Sequence, residues 1–452
     1  MIYTYQDLLK VGTDENKRME FVLAAIQSHK DSDFYQKAAV AVQYDCRHNV
    51  TIENFQKLLY TISGTAVPDN FSANYKLRSN FFNRFVVQQN QFLLGNGISL
   101  SNDADKAKLG DDFDMRLNDM GHNALVEGVS FGFWNRDHLE VFRLMEFCPL
   151  WDEETGGLAA GIRFWQIDAN KPLRATLYEI DGYTEYIWRD WKSEVYRPKR
   201  KYVLNVAQAP VGDFEIIDGR NYPSFPIVPM WGNPARQSEF EGIREQIDCY
   251  DLIRSGLANT IDDASIIYWT LENAGGMDDI DLARFVERMR TVKAAVMDDD
   301  GAKATAHTMD VPYQASEALL EQLRNDLYDD YMALDTKNIA GGAATATQIK
   351  AAYEPINNKA DRYECCVLDF LHNLFEIVGI QSEVSFTRSI MVNATENIQV
   401  LLQAAQVLPE EYLVRKILET LGDSDKADDV LEQIAEETVN RLGDIDGAEE
   451  NI

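Results

Sequence analysis

Apolar positions along this chain change their period twice, and the changes divide it. Up to about residue 130 they recur at spacings of three and four, as in helices buried on one face. Short helices are predicted at 6–9, 19–26 and 34–44, with polar linkers between them. A stronger pattern fills 75–94, with Leu77, Phe81, Phe85, Phe92 and Leu93 on one side and Gly95 placed as C-cap; another covers 111–127. From 131 to 231 the period falls to two, and turn signals recur at 153–157, Asp181-Gly182 and Asp218-Gly219. Strands are predicted at 161–167, 174–180, 185–188 and 202–206, an antiparallel meander with one half-buried face. Pro226, Pro229 and Pro234 place the segment that ends it at a sheet edge or exit.

Helical spacing then returns. Ser238 and Glu241 have the spacing of a capping box, and Phe240, Ile243, Ile247, Tyr250, Ile253, Leu257 and Ile261 draw a stripe that stops near Asp262-Asp263. Residues 264–312 read as a small αβ insert: a helix at 280–289, a strand at 293–297, a turn at 298–301 and a strand at 302–309, closed by Pro312. A second long helix, 316–334, carries Leu319, Leu320, Leu323, Leu327, Tyr331 and Leu334. The insert therefore sits at the far end of an antiparallel helix pair. A Gly/Ala segment, 339–347, leads into a further helix that runs to Ile380, with Thr345 and Gln348 spaced as a capping box. Pro355 inside that helix removes one backbone hydrogen bond and crowds the preceding turn, which predicts a kink. A strand at 383–387 and helices at 395–405 and 409–421 complete an α+β chain that is predominantly α-helical.

Composition changes the picture in two ways. At 452 residues the chain exceeds one compact core, and its net charge of −31 opposes bulk binding to nucleic acid. The stretch 421–452 alone has eleven acidic residues against two basic ones and is expected to be peripheral or partly disordered. The five cysteines (Cys46, Cys148, Cys249, Cys365, Cys366) show no paired spacing, which fits a reducing compartment. No leader and no membrane span are expected.

The chemical motifs are weak. Gly128-Val-Ser130-Phe-Gly132 matches a hydrolase string, but the predicted order of helix and strand around Ser130 is reversed. Gly95-Asn-Gly97 lacks the third glycine of a dinucleotide loop and reads as a helix end. Gly341-Gly342 stands before a helix but lacks the Gly-Lys-Ser/Thr ending of an ATP-binding loop. The six histidines form no metal-ligand spacing. Asp278-Asp279 and 298–300 read as solvated turns, and Cys365-Cys366 as inert packing residues. No enzyme, metal or cofactor is expected.

The order of several segments is more specific than any of them alone. The helix running into Phe92-Leu-Leu-Gly95 comes first. Pro229-Met-Trp-Gly-Asn-Pro234 follows, leading to a helix with Tyr250-Asp251, Ser255 and Ala258-Asn259. Two helices around Gly341-Gly342-Ala343 come next, then Phe386-Thr-Arg388. In this order the chain resembles the portal proteins of tailed double-stranded-DNA bacteriophages with long, non-contractile tails. It departs from them in having Gly-Gly-Ala where a Ser-Gly pair is expected in the loop. The resemblance implies a wing at 1–235, stem helices at 236–263 and 313–334, and a clip at 264–312. It implies a tunnel loop at 335–348, a kinked helix at 349–380, a wing return strand at 381–394 and a crown with acidic tail at 395–452. The loop set is Lys337, Asn338, Gly341, Gly342, Thr345, Thr347 and Lys350, with Pro355 at the kink. The resemblance further implies a ring of about twelve copies at one capsid vertex of the virion, assembled in the bacterial cytoplasm. Its partners would be the terminase large subunit, head-tail adaptors, major capsid and scaffolding proteins, and double-stranded DNA passing without sequence specificity. The bland alternatives are another virion morphogenesis or adaptor protein and, more distantly, a metal-dependent hydrolase.

Overall fold

The computed structural model describes residues 2–60, 64–69, 72–189, 192–208, 214–264, 268–272, 303–307, 313–337, 346–389, 401–404, 408–421, 426–428 and 430–434, with Ile280, Arg284, Phe285, Glu287 and Ile398 besides. Four helices open it: α1 (Tyr5–Val11), α2 (Glu15–Lys30), α3 (Asp33–Asp45) and α4 (Val50–Asn54). The last three start at side-chain caps, Asp14, Ser32 and Asn49, whose oxygens accept orphan N–H groups of the first turn. A hairpin of β1 (Leu58–Tyr60) and β2 (Ala66–Pro68) follows, then α5 (Phe81–Leu94), β3 (Ile98–Leu100), α6 (Asp103–Ala107) and α7 (Phe113–Glu127).

The helix predicted from residue 75 therefore starts at Phe81, and 73–80 carry no regular helix or strand. At its other end Gly95 is the C-cap in right-handed geometry, while Gly97 takes the positive φ of 71°. A Cβ at Gly97 would meet the Asp114 carboxylate at 2.5 Å, so this turn requires glycine on two counts.

The two-residue period of 131–231 resolves into three sheets rather than one meander. β4 (Val129–Asn135) and β5 (His138–Arg143) join β13 (Ile227–Trp231) in the order β13-β4-β5. Pro229 thus lies on an edge strand, as a residue without an N–H must. β6 (Phe147–Trp151), β7 (Leu158–Trp165), β8 (Leu173–Glu179), β9 (Gly182–Arg189) and β10 (Lys192–Arg200) form a true five-stranded meander, and β11 (Val203–Gln208) pairs with β12 (Phe214–Arg220). Alternate residues of the meander, among them Ala160, Ile162 and Phe164, are buried against Met19, Val22, Ala25 and Ile26 of α2. Ser130 lies in β4, directly after α7, fully buried, and donates to the Phe142 carbonyl at 3.2 Å. The hydrolase geometry of strand then helix is absent at that serine.

The remaining elements are α8 (Arg244–Ala264), β14 (Tyr268–Glu272), β15 (Lys303–His307), α9 (Tyr313–Tyr331), α10 (Ala346–Val378), β16 (Val384–Phe386) and α11 (Glu410–Leu421). α8 begins six residues after its predicted cap. Ser238 is tied to the end of α7, donating to the Val126 carbonyl at 2.6 Å, and the Glu239 N–H reaches Leu125 at 3.0 Å. Residues 239–243 stay in turns, so regular winding starts only once the chain is free of α7. β14 was not predicted; it pairs antiparallel with β15, which lies within the predicted 302–309 strand. The predicted strand 293–297 and the acidic turn 298–301 lie outside the described residues, as do 278 and 279; among the described residues no group of His, Cys, Asp and Glu could hold a metal. β16 pairs antiparallel with β3. No helix among the described residues is long and apolar enough to cross a membrane. The largest core gathers Phe82, Phe85, Leu93, Leu117, Met120, Ile247, Leu327, Tyr363 and Phe370 from α5, α7, α8, α9 and α10, with Phe240 from the turn before α8.

Candidate functional site

The segment singled out by sequence connects α9 to α10, and its frame is built on α5. α9 ends three residues earlier than its apolar stripe suggested. Met332 has φ 62°, its N–H reaches the Asp329 carbonyl at 3.0 Å, and the Ala333 N–H reaches Tyr328 at 2.9 Å. That pair of bonds is a Schellman end with a non-glycine residue at the left-handed position, which costs about 1 kcal/mol. The chain then passes Gln88 of α5. The Gln88 side chain donates to the Leu334 carbonyl and accepts the Leu334 N–H, both at 3.0 Å, as a neighbouring strand would. One residue on, Asp335 pairs with Arg324 at 2.8 Å and accepts the Lys337 N–H at 3.1 Å. Burial pushes the Asp335 carboxyl up, but Arg324 and the Lys337 N–H outweigh it and hold the group below its usual value.

On the far side, the first turns of α10 rest on the same helix. Tyr353, Ile356 and Ala360 pack with Phe92 and Leu334 in a small separate core, and the rings of Phe92 and Tyr353 stack at 6.0 Å. Below it Lys359 is partly buried. Its ammonium pairs with Glu239 at 2.7 Å, donates to the Tyr331 carbonyl at 2.9 Å and lies over the Tyr331 ring at 3.3 Å. Burial lowers the Lys359 pKa, and Glu239 offsets part of that. The Tyr331 hydroxyl donates to Gln89 at 2.8 Å. Both ends of the connecting segment are thus fixed to α5 and to each other.

Of the predicted loop set, Lys337, Thr347 and Lys350 are exposed on the two ends of this frame. Asn338, Gly341, Gly342 and Thr345 lie outside the described residues, and with them the predicted capping box, although α10 does begin directly after Thr345. Pro355 lies within α10, on its exposed side, and the helix is continuous through it. The proline lacks the N–H that would bond the Ala351 carbonyl, and Ala351 is itself exposed.

Two further anchors were missed by periodicity. Arg388, after β16, reaches back to α10 and bonds Asn357 at 3.2 Å, Asp361, and Glu364 at 2.7 Å, three residues on one face of that helix. The second anchor explains the helix that begins late. Along α8, Asp251, Ser255 and Asn259 recur every four residues and are buried. They accept the N–H groups of Ser79 (2.9 Å), Leu77 (3.0 Å) and Tyr75 (2.7 Å). Four helical residues rise about 6 Å and two extended residues about 6.6 Å, so a helix can satisfy alternate amides of a strap lying antiparallel to it. Asn49 completes the clasp, donating to the second Asp251 oxygen at 2.8 Å. A small polar residue every fourth position, opposite an apolar stripe, was the available signal.

Burial holds the Asp251 carboxyl above its ordinary value, and the donors from Asn49 and Ser79 offset only part of this. A folded pKa above the unfolded value near 3.8 gives stability that is full below that value and lost as pH rises through the folded one. Asp251→Asn removes this slope and leaves Asn49 facing a second donor. It is expected to lower unfolding free energy by about 1–2 kcal/mol at neutral pH. Urea unfolding from pH 4 to 7 checks both; a difference from wild type that stays flat with pH would show that burial does not shift the Asp251 pKa on folding.

Comparison with known proteins adds an independent finding. The family described as phage portal protein, SPP1 Gp6-like, matches residues 43–440. The portal protein of Clostridium phage phiCD119 is 26% identical over 206 residues, 43% of this chain and 45% of that protein. The portal protein of Bacillus phage SPP1 is 23% identical over 343 residues, 71% of this chain and 65% of that protein. The matches therefore span about half to two thirds of the length of these relatives. Among solved structures, the neck of a native GTA particle computed with C12 symmetry is 12% identical. It covers 75% of this chain and 89% of its own, with a TM-score of 0.43.

Proposed function

Because the chain belongs to the SPP1 Gp6-like family of phage portal proteins, we propose that it forms the portal of a tailed phage: a closed ring of about twelve copies at one capsid vertex, with a central channel for double-stranded DNA. The family match over 43–440 carries this reading. The geometry supports it. α8 and α9 pack side by side with the β14-β15 hairpin at their far end, as stem helices topped by a clip would. In this reading 1–235 is the wing, 236–263 and 313–334 the stem, 264–312 the clip and 395–452 the crown. The tunnel loop, 335–348, hangs between two roots fixed to α5. Lys337, Asn338, Gly341, Gly342, Thr345, Thr347 and Lys350 would meet the passing duplex, and the helix at 349–380 with Pro355 would carry the loop.

A channel for a polyanion works best when it does not grip, since each neutralised phosphate adds affinity that sliding must undo. The net charge of −31 suits such a sleeve, with Lys337 and Lys350 as isolated bases at the loop ends. The portal would dock the packaging ATPase (the terminase large subunit), then the head-tail adaptors, and meet capsid and scaffolding proteins at its rim. It supplies the channel and no chemistry of its own. Electron microscopy of the purified protein, with mass measurement on the same sample, is expected to show rings of about twelve subunits with a central hole. If neither the purified protein nor a co-expression with capsid and scaffolding proteins gives a ring, the reading fails in favour of an adaptor without a channel.

A further inference from the structure

A hollow of about 250 Å³ lies where α2, the start of α3, β6 and β13 meet, so a helix pair and two separate sheets wall it. An apolar cavity of roughly 150 Å³ already takes up benzene, so this one has room for a two-ring side chain. Its walls include Phe34, Leu144, Cys148, Trp151 and Trp231. The two indoles stack at 5.9 Å, and Phe34 meets Trp231 edge-on at 6.5 Å. The few polar groups inside are already engaged. His29 donates from Nε2 to the Leu144 carbonyl at 3.1 Å, and burial lowers its pKa, so it lines the hollow uncharged. Ser32 donates to the His29 carbonyl at 2.6 Å and caps α3.

One charge faces this hollow, and it is unopposed. Arg236, exposed at the mouth, holds its guanidinium 4.9 Å from the centre of the Trp231 ring and forms no ion pair among the described residues. No carboxylate among the described residues lines the hollow, in a chain with 74 acidic residues of 452. The arginine stands there at a cost. Its φ is 56°, a left-handed conformation that costs a non-glycine residue about 1 kcal/mol, and the Asn233 side chain holds the turn by donating to the Gln237 carbonyl at 2.8 Å. Glycine would relieve the strain, but it would remove the charge. The hollow also continues. Ile2, Tyr3 and Ser32 border both it and a more open groove along α2 that reaches Gln27 and Asp31. A compact ligand would need the hollow alone, whereas a hollow that runs into a groove suits one anchored side chain with polypeptide beyond it. Asp31 directs any acid of that polypeptide to the Arg236 end, since a carboxylate over α2 would meet like charge.

We infer that this hollow is an anchor pocket for a partner protein, taking one large aromatic side chain from a segment that carries a carboxylate close by to meet Arg236. The pocket belongs to each copy by itself, so ring formation and peptide binding are tested separately. A random peptide library selected on the purified full-length protein is expected to converge on an aromatic residue with Asp or Glu a few positions away. The best peptide, labelled with fluorescein, should bind Arg236→Gln about fivefold more weakly by anisotropy, the scale of an ion pair at a rim. It should bind Ala25→Leu, which adds bulk to a lining residue, about tenfold more weakly or worse, with circular dichroism unchanged. With benzoylphenylalanine in place of its aromatic residue, the peptide should crosslink on irradiation to residues 144–151 or Trp231 of the wild type, a readout that stands even if Ala25→Leu does not fold. No convergence, equal binding to wild type and either folded variant, or crosslinks elsewhere overturn the pocket. Indole-3-acetate joins the same two groups without a polypeptide and should bind about a hundredfold more weakly than the peptide. Equal affinity would make this a small-molecule site and overturn the protein partner.

Discussion

Gly121→Ala is expected to destabilise the fold by about 3–5 kcal/mol, the combined scale of overpacking a tight core and breaking a buried hydrogen-bond network. Gly121 lies inside α7, where alanine would ordinarily help a helix by about 1 kcal/mol, so the sign is decided by the neighbours. A methyl there would collide with the Tyr363 hydroxyl and the Asn90 side-chain oxygen, and lie 2.8 Å from Leu94. None of these can give way freely. Tyr363 is fully buried in α10 and donates to Asn90 at 3.0 Å, and Asn90 in turn donates to the Asn118 carbonyl at 2.8 Å. The methyl must therefore push α10 away from α5 and α7, or leave the phenol and the amide without partners. Urea unfolding of the purified subunit measures the loss. A variant within 1 kcal/mol of wild type would mean that α10 can slide along α5 at little cost, and the loop frame would then not be rigid.

That frame was only half legible in the sequence. Helical period located α9 and α10, and the Gly/Ala composition between them marked the connection, because both signals are local. The anchors are not local. Nothing local marks Gln88 of α5, yet its amide substitutes for a strand edge at Leu334. Lys359 is held between Glu239 and Tyr331, residues more than twenty positions away. The strap shows the opposite failure. Leu77 continues the helical spacing of α5, so the pattern overruns to residue 75, but the N–H groups of Tyr75, Leu77 and Ser79 are taken by α8. Tertiary hydrogen bonds outweighed local propensity there, which is a few tenths of a kcal/mol per residue. The split of the 131–231 region into separate sheets escaped for a similar reason. Alternation reports that a strand has one buried face, and it carries no information on which strand lies beside it.

Fixed roots give the connecting segment its mechanical meaning. Gln88 holds one end, the Phe92 cluster and Lys359 hold the other, and Arg388 bonds the middle of α10. Arg388 ties the chain that follows β16 to the middle of α10.

Replacing Gly341 and Gly342 together with valine is expected to slow DNA packaging by about tenfold while rings still assemble. Glycine reaches backbone conformations closed to a β-branched residue, and removing that latitude costs roughly 1 kcal/mol at each position if the loop must adopt them as DNA advances. Two such positions together amount to about 1–2 kcal/mol on the rate-limiting step, and 1.4 kcal/mol is a factor of ten. Assembly should be spared, because the described contacts that hold α9 and α10 to α5 involve neither glycine. Packaging assays with mutant and wild-type rings of equal mass separate the possibilities. A normal rate would remove the loop's backbone from the mechanism. Loss of rings would make the glycines structural, needed where subunits meet. A slow rate with intact rings would leave the loop as the moving part of an otherwise fixed channel, and Gly341→Ala with Gly342→Ala, the smaller restriction, should then fall between valine and wild type.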